Sequence, residues 1–226
     1  MTGPTPPNPE TLKAPSPTLF KPQRARLTGF TVILEASVLV RSALRDVLLW
    51  SGHFAMFRPA WSAEIIREIH NALTSQFDTS HERADYIVSQ ILAASPEAAV
   101  SGHEALLPAM TNSPERRHVL AAAIMCKAQV IVTNRTIDFP EDTCASYHVE
   151  ALSPDDFLCD LLDLDADSMI EVLSAICAGR TMPQKTMADI LLEIADCGCP
   201  VFATTIKKTI ESIYGPLSTE SAELSD

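Results

Sequence analysis

A three-layer α/β fold with a mainly parallel central sheet is predicted for residues 29–164, and three stretches carry the prediction. Phe30 to Leu34 is a short apolar run closed by Glu35, and it reads as the first, central strand. Val130, Ile131 and Val132 form a β-branched run of the kind found in parallel strands covered on both faces. Ahead of that run, Arg116, Val119, Leu120 and Ala123 share one face of a helical pattern. Beyond it, Thr133, Asn134 and Asp138 gather at the carboxyl edge of the sheet, where ligands bind in open parallel sheets.

Residues 1–28 hold seven prolines and cannot bury enough apolar surface to offset the entropy of ordering, so a disordered tail is expected. After the first strand, a helix from Ser37 to Trp50 places Val38, Val40, Leu44, Val47 and Leu48 on its apolar side. Arg41 and Arg45 lie one turn apart on its polar side, either to contact phosphates or to solvate the face. A second short strand is expected at Phe57, with Pro59 marking its end. The next helix opens at Trp61 and Ser62 and runs to Leu73, with Ile65, Ile66, Ile69 and Leu73 as its core stripe. Glu68, beside that stripe, is either a ligand or a boundary charge. His81 to Ala94 is a further helix stopped by Pro96, and Val100 to Met110 reads as a link.

Ser113 then offers an N-cap and Pro114 suits a first helical position. His148 to Leu152 reads as the last strand, and Ser153 with Pro154 caps a helix to Leu162. Residues 165–215 form a helical extension with stretches at 167–178, 183–196 and 201–213, punctuated by Gly179, Gly198 and Pro200. Three such short helices cannot bury their apolar stripes alone, so they should dock on the α/β domain or on a second chain. Residues 216–226 read as a flexible acidic tail.

The net charge of −12 argues against a sequence-independent nucleic-acid coat, because phosphate affinity rests on lysine and arginine. The basic excess is confined to residues 1–28, at +3, while residues 29–164 carry −9 and the remainder −6. No apolar run approaches the roughly 18 residues that span a bilayer, and the proline-filled start lacks a secretory apolar core, so no membrane association and a cytoplasmic location are expected. The six cysteines lack zinc-site spacing, and Cys126, Cys159 and Cys177 fall within apolar helical patterns. Cys197 and Cys199 flank Gly198, as a tight turn or as a redox or soft-metal pair. Ser101, His103 and Glu104 lie close together, but the strand-to-helix nucleophile elbow G-x-S-x-G is absent.

R-H-V-L-A-A-A-I, V-I-V-T and D-F-P, in that order, resemble the second half of a PIN domain, the metal-dependent ribonuclease fold of VapC-type toxins. The resemblance extends to V-I-L-E-A-S-V-L at Val32–Leu39, F-R-P-A-W-S-A-E-I-I-R-E-I at Phe57–Ile69 and S-P-D-D-F-L-C-D-L-L-D at Ser153–Asp163. The extension is similar to one that follows the PIN domain in a subgroup of VapC-like proteins. The resemblance implies an endoribonuclease whose acidic residues hold Mg2+ or Mn2+ and activate water against an RNA phosphodiester. It also implies restraint by a VapB-like antitoxin protein, and a homodimer.

Carried over by position, the family's acids fall on Glu35, Glu68 and Asp138. Glu35 replaces the usual aspartate, displacing its carboxylate by about one bond length, roughly 1.5 Å, against metal distances that hold within about 0.2 Å. Ser37 stands where many relatives have asparagine, and Arg135 interrupts the usual spacing after Thr133. Arg116 stands where the third acid belongs. A guanidinium is always charged and accepts no hydrogen bond, so it cannot coordinate a cation and should pair with the carboxylates instead. Glu115, about 100° round the helix, is the one neighbouring substitute. Arg41, Arg45, Asn134 and Arg135 are the candidate RNA contacts, and His118 belongs to the R-H-V pattern with a structural role. The resulting expectation is a partly degenerate site with weakened or lost catalysis. The alternative is a non-catalytic binder of RNA or of an antitoxin-like partner.

Overall fold

The computed structural model describes residues 29–180 and 184–217. The expected tail at 1–28, Pro183 itself and all but the first two residues of the acidic end lie outside the described residues; the helix expected from Pro183 begins only at Met187, where Thr186 caps it. A five-stranded sheet contains β1 (Thr31–Leu34), β2 (Arg58–Ser62), β3 (Ala99–Val100), β4 (Val130–Val132) and β5 (Glu150–Leu152), in the order β3-β2-β1-β4-β5. Every pairing is parallel. All four residues of β1 are buried, which explains an uninterrupted apolar run in place of alternation. The chain winds outward from β1 through β2 to β3, then returns to β4 on the other side. The β1–β4 junction is therefore the switch point of the sheet.

Helices α1 (Ala36–Leu39) and α2 (Ser42–His53) replace the single helix expected from Ser37 to Trp50. The break falls at Arg41, whose backbone is extended at ψ 126°. The Arg45 guanidinium donates to the carbonyls of Leu39 at 3.1 Å and Val40 at 3.4 Å, supplying partners for groups that the interrupted helix leaves free. Periodicity is blind to such a break, because the apolar spacing continues across it.

The second strand begins beside Phe57 but runs through Pro59, which had been expected to end it. Arg58 N donates to Phe30 O, so the missing donor of Pro59 faces the other side. There β3 is only two residues long and pairs no further back than Trp61, so the proline breaks no ladder bond. The β3 strand itself falls at the edge of the expected link, and a 3-10 segment, His103–Ala109, follows it.

Helix α3 (Ala63–Gln76) starts after Trp61 and Ser62, which end β2, and runs three residues past Leu73, while α4 (His81–Ala94) keeps the expected span; Ser62 and Ser80 cap them. The helix before β4 differs at its start: a 3-10 turn, Pro114–Arg116, precedes α5 (Arg117–Cys126). Ser113 does not cap it, because its hydroxyl donates to Glu115 Oε2 at 2.8 Å. A short α6 (Glu141–Ala145) precedes β5, and Ser153 caps α7 (Pro154–Leu164) as expected.

Helices α8 (Ala166–Gly179), α9 (Met187–Asp196) and α10 (Pro200–Tyr214) complete the described chain. Helix α8 packs on α2 and α7, α9 on α2, and α10 on α7 and α9. Met169, Val172, Leu173, Ile194, Phe202 and Ile206 are buried in the same core as the sheet. Arg180, at the end of α8, pairs with Asp46 of α2 at 2.5 Å. The first turn of α10 has no local side-chain cap; Asp155 of α7 accepts from Val201 N at 3.1 Å and Phe202 N at 2.8 Å. Just before it, Gly198 turns the chain at φ 97°, and burial pushes the Cys199 thiol up to about 12, so that cysteine acts as a small hydrophobe.

Candidate functional site

The register of β1 with β4 pairs Leu34 with Val132, so Glu35 and Thr133 emerge together at the carboxyl edge of the switch point. Glu35 is the N-cap of α1 and is 1% exposed. Its Oε2 accepts from Ser37 N at 3.1 Å, from the Ser37 hydroxyl and from Thr133 Oγ1 at 3.1 Å. A buried carboxylate needs such donors, and cap geometry provides them. Asn134 completes the cradle by donating its backbone N–H to Ser37 Oγ and its amide to Ser37 O, each at 3.1 Å.

The other oxygen of Glu35 faces Arg116 Nη1 at 3.5 Å. The same nitrogen donates to both oxygens of Glu68, at 2.9 and 3.0 Å. Glu68 reaches this point from the middle of α3, and Arg116 from the junction of the 3-10 turn with α5. His118 Nε2 meets Glu68 Oε1 at 3.2 Å from the following turn. Partial burial pushes the Glu68 carboxyl up, but the hydrogen bond and charge of His118 and the charge of Arg116 outweigh it, leaving Glu68 below the usual carboxylate range. Three of the expected residues, Glu35, Glu68 and Arg116, thus meet around one guanidinium.

Asp138 is tied nearby through its backbone, whose carbonyl accepts from Ser113 N at 3.3 Å and from the Asn112 amide at 3.4 Å. Its carboxylate turns to Arg135 Nε at 2.6 Å. Among the described residues it has no ion pair with Arg116. Glu115, the candidate substitute, is exposed beside Ser113 and has no bond into the cluster.

The candidate RNA contacts are largely committed elsewhere. Arg45 is turned inward to its carbonyls, and burial lowers its pKa. Arg41 points to Asp196 O at 3.5 Å, and Asn134 is held by Ser37. Sequence reasoning missed the roles of Thr133 and Ser37 as donors to Glu35. It placed His118 as structural without seeing Glu68 as its partner, because in a continuous helix two residues after Arg116 the chain has turned about 200°, to the opposite face.

A hard divalent cation needs several free oxygens converging on one point. Here Arg116 already lies against Glu35 and Glu68, and Arg135 takes Asp138, so the residues as arranged do not fit Mg2+ or Mn2+. The five-stranded all-parallel sheet flanked by helices is a PIN-like α/β fold, with this carboxylate cluster at its edge.

Residues 154–208 match the family model of the VapC50 C-terminal domain. VapC50 of Mycobacterium tuberculosis (strain ATCC 25618 / H37Rv), described as a candidate ribonuclease, is 36% identical over 111 residues, covering 49% of this chain and 65% of that protein. The chain thus spans less than two thirds of that relative. No solved structure matches significantly. The chain is thus similar to a VapC-type protein, and its C-terminal helices are similar to the extension of that protein. Among the described residues no helix is long and apolar enough to cross a membrane.

Proposed function

We propose that this chain is a VapC-type protein of a toxin–antitoxin pair whose metal-dependent ribonuclease chemistry is shut off at the acidic site, leaving binding to an antitoxin-like partner as its retained activity. The observation that carries the reading is the Arg116 guanidinium lying against both oxygens of Glu68 and 3.5 Å from Glu35. A divalent cation in an acidic cluster balances clustered negative charge; Arg116 supplies positive charge there without a cofactor, through charge-assisted hydrogen bonds. Glu35, longer than aspartate, is further held back by Ser37 and Thr133 on its own cap. The family resemblance supports a cytoplasmic protein with a VapB-like partner, and the same family supports RNA as the ancestral substrate.

Calorimetric titration of manganese, with RNA cleavage assayed in parallel, tests this on the native protein, Arg116→Asp and Arg116→Asp with Glu35→Asp. The native protein is expected to bind manganese weakly or not at all and to leave RNA intact. Arg116→Asp is expected to raise metal affinity, and the double variant to raise it further. Tight manganese binding with RNA cleavage by the native protein would overturn the reading.

A further inference from the structure

A second cluster lies at the same sheet edge but on other residues. The paired positions Ser62 of β2 and Val100 of β3 stand side by side, and each strand continues into a polar group two or three residues later. Glu64 leaves β2 in the first turn of α3. His103 leaves β3 after Gly102, whose φ of 81° makes a turn that side chains resist. Glu104 follows it on the surface.

His103 is 1% exposed, yet neither ring nitrogen has a hydrogen bond. Its Nε2 lies 3.3 Å from Glu64 Oε2, which is also buried and also without a hydrogen bond. The two atoms are at ion-pair distance but are not aligned as donor and acceptor. The other Glu64 oxygen is taken by Arg67 at 3.0 Å, leaving Oε2 aimed at the ring. Two buried polar atoms facing each other in this way are costly unless a third group joins them.

The distance fits a bridging metal ion. Two ligands on a tetrahedral zinc ion, with bonds of about 2.0–2.1 Å, stand about 3.3–3.4 Å apart. Glu104 brings a carboxylate oxygen to the same place, the three ligand atoms lying within 4.8 Å of one another. Being exposed, its side chain is free to close the remaining gap. An imidazole with carboxylates suits zinc and disfavours magnesium, which takes oxygen ligands.

We propose that Glu64, His103 and Glu104 bind one zinc ion, with water in the fourth position, separately from the cluster around Arg116. The ion ties the 3-10 segment after β3 to the first turn of α3, the helix that also carries Glu68. The site does not rest on the ribonuclease reading.

The test uses the full chain, freed of any affinity tag and stripped with chelator, then titrated with zinc by equilibrium dialysis and followed by thermal unfolding. The native protein should bind about one equivalent and unfold at higher temperature with zinc. His103→Asn should abolish both effects, and Glu104→Gln, a surface change that cannot disturb the core, should weaken binding by roughly tenfold or more. Glu68→Gln should leave zinc affinity unchanged. Absence of zinc binding by the native protein would overturn the proposal. So would binding that survives both His103→Asn and Glu104→Gln, or that is lost in Glu68→Gln.

Discussion

Replacing Arg116 with alanine removes one guanidinium from between two carboxylates that differ in burial, and the difference sets the cost. Glu68 has a side chain 34% exposed and keeps His118, so water replaces most of what Arg116 supplied, and its share is about 1 kcal/mol. Glu35 is 1% exposed, and the oxygen that faced Arg116 is left with no charged partner and little water, a loss of about 2 kcal/mol. The expected destabilisation is therefore about 3 kcal/mol. In urea, with a slope of about 2 kcal/mol per molar, the midpoint should fall by about 1.5 M. Because the larger share belongs to a stranded buried carboxylate, Glu35→Gln should relieve much of it, and a double-mutant cycle should show coupling of more than about 1 kcal/mol between positions 35 and 116. A loss below about 1 kcal/mol, or the same loss in both backgrounds, would show that Glu35 does not depend on Arg116.

Three further outcomes are expected. Glu68 has a lowered native pKa, so its contribution is full above the unfolded carboxyl value of about 4.3 and fades as pH falls through the lower native one; urea midpoints measured down this range should fall steeply in the native protein and less in Glu68→Gln. Asp155→Ala removes the cap of α10 and should cost about 1 kcal/mol, with faster amide exchange at Val201 and Phe202 than elsewhere; unchanged exchange there would refute the capping role. Truncation after Asp165 uncovers the faces of α2 and α7 against which α8 and α10 pack, so binding of a hydrophobic dye should rise and solubility fall, and a soluble fragment of unchanged thermal midpoint would contradict it.

Much of the sheet was legible because its strands obey local rules. The β1 and β4 runs are apolar without alternation, as buried parallel strands must be. In the extension, glycine ends α8 and proline opens α10, while α9 opens on the capping box of Thr186 and Asp189 and not at Pro183. Legibility failed where one group's partner lies far along the chain. Nothing near Arg41 foretells a helix break whose freed carbonyls are met by Arg45. Pro59 is a strand breaker by composition, and only the short reach of β3 makes it harmless. Ser113 has the chemistry of a cap, but Glu115, two residues on, competes for its hydroxyl. At the site, the pairing of Arg116 with Glu35 and Glu68 followed from charge once the family pattern had placed all three at one edge. The turn of Asp138 towards Arg135 had no such guide, because its orientation depends on a single 3-10 turn.

The bond from Asp155 to the start of α10 bears on where the chain could be divided. Asp155 sits in the helix that closes the α/β layers, and Phe157 beside it meets Phe57 edge-on with ring centroids 5.2 Å apart. The family match begins at residue 154, ahead of α7 and not after it. Inherited module and folded layer therefore overlap by a whole helix. A graft of the extension onto another scaffold would have to carry α7 with it, and the donor left behind would lose the lid over its own aromatic core. Neither piece has a seam of its own.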